Sequence, residues 1–189
     1  LQRLPSRRTF DRRFNSLASD LELRILAMAK LLCEQEIVDA SIVSTDSSLL
    51  KADGNVWHKK HVKKGMLPCG NIDVEANWGK TRCKGWVYGY KGCVTVTALQ
   101  PTVPLYASLA TANVDDTQFY PELVDCLPLE ARFNIADTGF DSAELYVASR
   151  RRRMRLLTPI RVYKNTPPER VRLAEFYNSP MGKALYRLR

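Results

Sequence analysis

Two aspartates stand out because each closes an apolar, β-branched run in a chain that is strongly basic elsewhere. Asp46 ends the run that begins at Ile37, and Asp137 ends the run that begins at Phe133. Such a run places its final carboxylate at the C-terminal end of a strand, where α/β sheets hold their functional groups. Two carboxylates on neighbouring strands can bind Mg²⁺ or Mn²⁺, because hard cations prefer oxygen ligands. A site of this kind on a basic protein suggests phosphate chemistry on nucleic acid.

The charge balance of the chain favours a polyanionic partner. The 189 residues include 29 Lys and Arg against 20 Asp and Glu, which gives a net charge of +9. A surplus of this size attracts nucleic acid, although a merely solvated basic surface is the alternative. The residues predicted to contact the DNA backbone form an arginine run and two cations that follow it toward the same side: Arg150, Arg151, Arg152, Arg153, Arg155, Arg161 and Lys164.

Other protein classes fit the sequence less well. A chain of 189 residues with 45% hydrophobic content can form one ordinary domain. It contains no apolar stretch of membrane-spanning length and no signal peptide at its start. Its five cysteines are odd in number and include no C-x-x-C pair, which argues against a disulfide framework. His58 and His61 with Cys69 and Cys83 match no zinc module by their spacing.

The hydrophobic pattern predicts helices and strands in alternation. A capping box at 19–22 predicts the start of a first helix whose buried stripe contains Leu21, Ile25, Met28 and Leu32. Segment 53–84 is predicted to be a long loop, because it is rich in Gly, Lys and Asn and has no sustained period. Strands are predicted at 36–50, 85–99, 104–109, 132–137 and 154–160, with later helices within 113–127, from a second capping box at 141–144 to 152, and at 168–178.

This order of elements predicts an α/β fold with a mixed sheet and helices on both faces. Asp39 and Asp46 are seven residues apart in the first predicted strand, so their side chains face opposite ways and only one can join a given site. Asp39 is therefore the alternative first carboxylate. Asp115 and Asp116 are expected to cap or brace the turn before a helix rather than bind metal.

Four short motifs follow one another along the chain: TDSSLLKA at 45–52, GWVYGYK at 85–91, ANVDD at 112–116 and ADTGFDS at 136–142. In this order they resemble the Asp-Ser-Thr, Gly-Tyr-Lys, Asn-Val-His-Asp and Ala-Asp-Lys-Gly-Tyr-Asp-Ser motifs of bacterial insertion-sequence transposases of the DDE type. The four together are far more specific than any one of them. Two departures are Gly92-Cys93 in place of Leu-His and Thr138 in place of Lys.

The resemblance implies an RNase H-like fold for this chain. It makes Asp46 and Asp137 the first two carboxylates of the DDE triad, which hold Mg²⁺ (or Mn²⁺). Tyr186 and Arg189 match the start of the family signature Tyr, two residues, Arg, three residues, Glu, six residues, Lys. The third carboxylate is then expected from a Glu four residues beyond Arg189. Tyr186 and Arg189 are expected to support that Glu and to contact DNA.

We therefore expect a helical segment at 1–35 and an RNase H-like catalytic domain at 36–189 that stops before its third carboxylate. The chain starts without Met and ends without a helix stop, which suggests a fragment that also lacks an N-terminal DNA-binding part. The expected activity is cleavage and strand transfer of an insertion sequence. The expected partners are transposon ends, target DNA and further copies of the chain, in the bacterial cytoplasm at the nucleoid.

Two rival functions remain compatible with the sequence. One is another RNase H-like nuclease, such as a resolvase or a ribonuclease H, which would hydrolyse nucleic acid without strand transfer. The other is a non-catalytic DNA-binding remnant of a transposase.

Overall fold

The computed structural model describes residues 7–68, 70–81 and 85–189. The first part contains the long helix α1 (Arg7–Glu34), strand β1 (Ile42–Lys51), the short helix α2 (Lys59–Lys63) and strand β2 (Asn77–Thr81). The long strand β3 (Gly85–Thr97) and β4 (Pro104–Thr111) follow. The second half contains α3 (Tyr120–Cys126), β5 (Phe133–Ile135), α4 (Ala143–Arg151), β6 (Arg155–Leu157), α5 (Pro168–Asn178) and α6 (Pro180–Tyr186).

The six strands form one mixed sheet around β1. On one side, β1 pairs antiparallel with β3, whose far edge pairs antiparallel with β4 and, near its start, with β2. On the other side, β1 pairs parallel with β5, and β5 pairs parallel with β6. The carboxyl ends of β1, β5 and β6 therefore point toward the same edge of the sheet.

Helices cover both faces of the sheet. The amide of Asn134 in β5 donates to the hydroxyl of Tyr120 in α3, which also bonds Ser149 in α4, so α3 and α4 lie on the face of Asn134. Phe133 points the opposite way, because side chains alternate along a strand, and stacks on Phe176 of α5. The structure confirms the predicted α/β class with a mixed sheet and helices on both faces.

The main core lies between the sheet and α1, α3 and α4. Val43, Cys93 and Tyr106 contribute to it from three neighbouring strands, and Tyr120 and Phe140 from the helical side; all five are buried. Such a core ties the antiparallel and the parallel halves of the sheet into one packed unit.

The first helix differs from its prediction. Helix α1 already includes Arg7 and passes through 19–22 without a break, so the capping box there does not start it. Leu21 and Met28 are more than half exposed, whereas Leu26 and Ala29 pack into the core. The spacing correctly predicts a helix and two members of its buried side, since Ile25 and Leu32 are half-buried, but it wrongly includes Leu21 and Met28, because α1 carries apolar residues on both of its faces.

Two further predictions, the long loop at 53–84 and the second capping box, also differ from the structure. The predicted loop contains α2 and β2, and β2 forms a hairpin-like pair with the start of β3. At the second box the N-cap of α4 is Ser142, whereas Asp141 forms an ion pair with Arg170 of α5 at 2.6 Å. In the described part of the chain, none of the helices is long and apolar enough to cross a membrane.

Candidate active site

Strand register brings Asp46 and Asp137 together. Ile42 pairs with Phe133 and Ser44 with Ile135, so continuing the parallel register by two residues places Asp46 beside Asp137 on the same face. Asp46 lies within β1 and is held in the ladder opposite Val94 of β3. Asp137 follows the end of β5 and is the N-cap of a one-turn 3₁₀ helix at Thr138–Phe140. Both carboxylates therefore reach the same point at the carboxyl end of the parallel strands.

One cationic group lies between the two carboxylates. Nη2 of Arg189 is 2.8 Å from Oδ1 of Asp46 and 3.9 Å from Oδ2 of Asp137. Its Nη1 donates to the hydroxyl of Tyr186 at 3.1 Å. Burial acts to lower the pKa of the Arg189 guanidinium, but the bond to Tyr186 and the two carboxylate charges outweigh it and raise that pKa. The structure thus brings Tyr186 and Arg189 to the predicted catalytic pair.

Each carboxylate of the pair keeps oxygen lone pairs available. Asp46 accepts from the backbone N–H of Ser47 at 3.0 Å, and Asp137 accepts from that of Gly139 at 2.8 Å. The side chains of Asp46 and Asp137 are 64% and 40% exposed, so a ligand from solvent can reach both.

A third carboxylate, Asp116, lies behind this pair and was not recognised in the sequence as part of the site. Its Oδ1 accepts from Ser47 Oγ at 2.7 Å and from Lys91 Nζ at 2.9 Å. Asp115, in contrast, caps its own turn by accepting from the N–H and hydroxyl of Thr117. The expected bracing role therefore fits Asp115, whereas Asp116 points into the site. Side chains alternate along a strand, so Ser47 faces the opposite way from Asp46. A hydroxyl in that position is the signal in the sequence that could have suggested a polar partner such as Asp116.

A buried polar layer fixes the strands beneath the site. The hydroxyl of Thr45 donates to Asn134 Oδ1 and bonds the hydroxyl of Thr95, both at 2.8 Å. All three side chains are fully buried, where a satisfied hydrogen bond resists displacement because breaking it would leave a polar group without water. This layer joins β1 to β5 and β3 directly below Asp46.

A cleft of about 350 Å³, lined by Asp137 and Asp116, opens at this end of the sheet. Lys80 and Lys91 contribute positive charge to it next to Asp116 and Asp137. The buried thiol of Cys93 lies close to the cleft, and its pKa is raised to about 12 by burial and by the charges of Asp116 and Asp46. Cys93 therefore stays a neutral thiol and supplies no anionic ligand.

The predicted DNA-binding residues lie on both sides of β6 along the chain. Arg161 follows the carboxyl end of β6, and Lys164 follows it three residues later; both are exposed. Arg155, in contrast, pairs with Phe133 at the amino ends of β5 and β6. Four residues of strand separate Phe133 from Asp137, a distance of about 13 Å. The expectation that Arg161 and Lys164 share one side with the arginine run stays a prediction.

The arginine run borders a second, larger cleft of about 630 Å³ between α4, β6 and α5. Arg150, Arg153 and Arg155 line it together with Arg172 of α5, above an apolar floor that includes Phe176. Arg155 is held 5.1 Å above the ring of Phe176.

Two members of the arginine run lie outside this cleft. Arg152 turns inward and donates to the carbonyl of Leu127 at 2.6 Å, which gives it a structural role. Arg151 is exposed beyond the rim of the cleft.

The donor set of the site fits a divalent cation. Asp46 and Asp137 already converge on one positive group, and carboxylate oxygens are the ligands that Mg²⁺ and Mn²⁺ prefer. Among the described residues no three His, Cys, Asp or Glu side chains form a complete metal cluster. Of the possible zinc ligands, His58 and His61 lie with ring centroids 5.4 Å apart, and Cys69 and Cys83 fall outside the described residues.

Comparison with protein families agrees with this geometry. The family model described as "Transposase DDE domain" matches residues 37–189, which include both carboxylates and all six strands. The chain belongs to this transposase family. No curated protein matches the transposase domain in sequence.

One solved structure resembles the transposase domain. It is a cryo-EM structure of the piggyBac transposase synaptic complex with hairpin DNA, with 14% sequence identity and a TM-score of 0.40. The match covers 88% of this chain and 33% of that one, so the domain spans about a third of the solved transposase.

Proposed function

We propose that this transposase domain cleaves and joins DNA with Asp46 and Asp137 as its metal-binding carboxylates. The observation that carries the proposal is the convergence of both carboxylates on one cationic group, the Arg189 guanidinium. When bound there, Mg²⁺ or Mn²⁺ would polarise the phosphodiester and activate the attacking oxygen. Cleavage leaves a 3′-hydroxyl that the same site can join to a target strand.

The residues of the chain itself supply positioning. Asp46 is fixed by the β1–β3 ladder and the Thr45 layer beneath it, so it provides a stationary ligand. We propose that Lys80 in the cleft, together with Arg161 and Lys164, holds phosphates of the reacting strand. We propose that Arg189 exchanges its carboxylate contacts for a DNA phosphate when metal and substrate bind.

The Glu that the family signature places beyond Arg189 is also part of the proposal. The family signature expects a Glu four residues beyond Arg189. On a continuing helix, residues four apart share a face, so such a Glu would point toward Asp46 and Asp137 as Arg189 does. The proposed organisation is a helical segment at 1–35 and a catalytic domain from residue 36 onward.

The proposal also names the partners and the setting of the protein. We propose that copies of the chain assemble on two transposon ends and a target duplex, at the bacterial nucleoid. The positive cleft bordered by Arg150, Arg153, Arg155 and Arg172 would hold duplex DNA through its backbone, away from the reacting bond.

The test uses the full-length protein and labelled DNA that carries the terminal sequences flanking its reading frame. We expect cleavage in Mg²⁺ or Mn²⁺, none in EDTA, and joining of the freed 3′ end to a second duplex. Cleavage without joining would instead favour a hydrolytic nuclease. DNA binding with no cleavage under any metal condition would favour the binding-only remnant.

A further inference from the structure

Asp116 contacts three parts of the site at once, and the proposed chemistry has not used it. Its Oδ1 is shared between Ser47 of β1 and Lys91 of β3, at 2.7 and 2.9 Å. Its Oδ2 lies against the turn that follows Asp137, close to Gly139. Asp116 therefore joins the two strands that hold Asp46 to the turn that holds Asp137.

Glycine at 139 is what allows this approach. A Cβ on Gly139 would lie 3.0 Å from Asp137 Oδ1 and still closer to Asp116 Oδ2. Both carboxylates thus crowd the space that a side chain at position 139 would occupy. Any displacement of Asp116 changes the space available to the Asp137 carboxylate.

Asp116 approaches the two proposed ligands from the core side of the sheet and lines the same cleft as Asp137. Directly paired residues share a face, and Asp46 pairs with Val94 on the face opposite Ser47. Asp116 reaches Ser47 on the core side of β1, whereas Asp46 points to the other side. Lys91 and Asp116 are only 16% and 21% exposed, so their charges depend on each other rather than on water.

We propose that Asp116 is a positioning residue that fixes the separation of Asp46 and Asp137, and that Lys91 neutralises it. The inference rests on the proposed function, since it concerns the same two metal ligands. Residues that orient metal ligands from behind typically change metal affinity or rate by about 10- to 100-fold when they are replaced.

The test is a double-mutant cycle in the full-length protein with Asp116→Asn, Lys91→Met and the pair together. Mn²⁺ binding is measured by EPR titration. The rate of DNA cleavage is measured separately, at saturating Mn²⁺. Asp116→Asn leaves the Lys91 charge uncompensated, so we expect about tenfold weaker Mn²⁺ binding. Lys91→Met leaves the Asp116 charge uncompensated, so we expect tighter binding. The pair should bind Mn²⁺ nearly as the unmodified protein does, but all three variants should cleave at least about tenfold more slowly.

Asp115→Asn is the matched control, since the Asp115 carboxylate hydrogen-bonds Thr117 in its own turn and feels Lys91 only through its charge; it should change both quantities much less than Asp116→Asn does. Loss of Mn²⁺ binding in the paired variant would make Asp116 a direct ligand and overturn the proposal. If both single variants change Mn²⁺ affinity in the same direction, the proposal is also overturned, because a merely structural role of the two residues predicts that result. If Asp116→Asn does not fold, Ser47→Ala carries the test: an unchanged cleavage rate there contradicts the proposal, and a severalfold drop supports it.

The Mn²⁺ titration separates the two failures. If the unmodified protein binds Mn²⁺ but does not cleave DNA, the proposed function fails. The role of Asp116 is still tested in that case, because Asp116→Asn should weaken Mn²⁺ binding and Lys91→Met should strengthen it.

Discussion

The two ends of the parallel half of the sheet arrange positive charge in different ways. At the carboxyl end, Arg189 is paired with Asp46 and Lys91 with Asp116. At the amino end, Arg150, Arg153 and Arg172 surround a cleft, and none of them has an ion pair with another residue of the described chain.

This difference separates two tasks that the sequence places on one basic chain. Paired cations at the carboxyl end keep a cluster of acids together, where net charge is small and geometry decides the chemistry. At the amino end the four arginines of the cleft outnumber its one carboxylate, Glu169, so they produce a positive field, which attracts DNA over a distance and loses strength in salt. We expect replacements at the carboxyl end to change rates and replacements at the amino end to change affinity.

The largest effect should come from Asp137→Asn. An amide is a poorer metal ligand than a carboxylate, so we expect cleavage to fall by at least about a thousandfold, or roughly 4 kcal/mol of transition-state stabilisation. DNA affinity in EDTA should stay nearly unchanged, as measured by gel shift. Asp39→Asn is the matched control, because Asp39 is exposed and its carboxylate bonds Ser41, through the N–H at 2.8 Å and through the side chain. Equal losses in both variants would contradict the choice of Asp137.

Neutralising the arginines at the amino end should lower DNA affinity and leave the cleavage rate nearly unchanged, the reverse of Asp137→Asn. Replacing Arg150, Arg153 and Arg172 with Gln should weaken DNA binding by at least about tenfold and lower the slope of log affinity against log salt by up to about three. The cleavage rate of bound DNA should change little. Arg151→Gln, outside the cleft, is the control and should lower the slope by no more than one unit. A triple variant with an unchanged salt slope would show that this cleft does not hold DNA.

A moderate effect is expected from Arg189→Ala, which removes the cation between the two carboxylates. We expect Mn²⁺ to bind more tightly, since it no longer competes with the Arg189 charge. The gain should be only about three- to tenfold, because solvent partly screens that charge. Cleavage should nevertheless slow, because a phosphate contact is lost. Mn²⁺ titration by EPR, without DNA, measures the first effect, and weaker binding there would contradict the competition between Arg189 and metal.

The smallest effect concerns Cys93 behind the site. Its thiol has a pKa raised to about 12 by burial and neighbouring carboxylates, against an ordinary value of 9.0. The native protein keeps this proton while the unfolded chain loses it, so the contribution to stability is complete below pH 9 and is lost as pH rises toward 12. Urea unfolding at pH 8 and pH 10 measures this loss. Reaction with Ellman's reagent at pH 8 should modify half-buried Cys126 before Cys93, and the reverse order would contradict the burial of Cys93.

Much of the fold could be predicted from local pattern. Helix α5 was predicted with its observed bounds, because a Pro-Pro start and an apolar period determine it locally. The buried stripe of α1 could be chosen only in part, since both of its faces carry apolar residues and tertiary packing selects one. Strand β2 was missed because its Gly-, Lys- and Asn-containing sequence forms a strand only by pairing with β3.

The candidate site divides in the same way. Asp46 and Asp137 were predicted from runs that end in a carboxylate, and their proximity follows from parallel pairing. The role of Asp116 depends on contacts 69 residues away along the chain, at Ser47.

The two proposed ligands are anchored unequally. Asp46 lies inside a strand that continues to Lys51 with pairing on its β3 side, whereas Asp137 begins a one-turn helix beyond the last residue of β5. Backbone amides around Asp46 should therefore exchange with deuterium slowly and those at 138–141 quickly. If the distance between the ligands has to change between cutting one strand and joining another, the turn after β5 is the part that can yield, and β1 serves as the fixed reference.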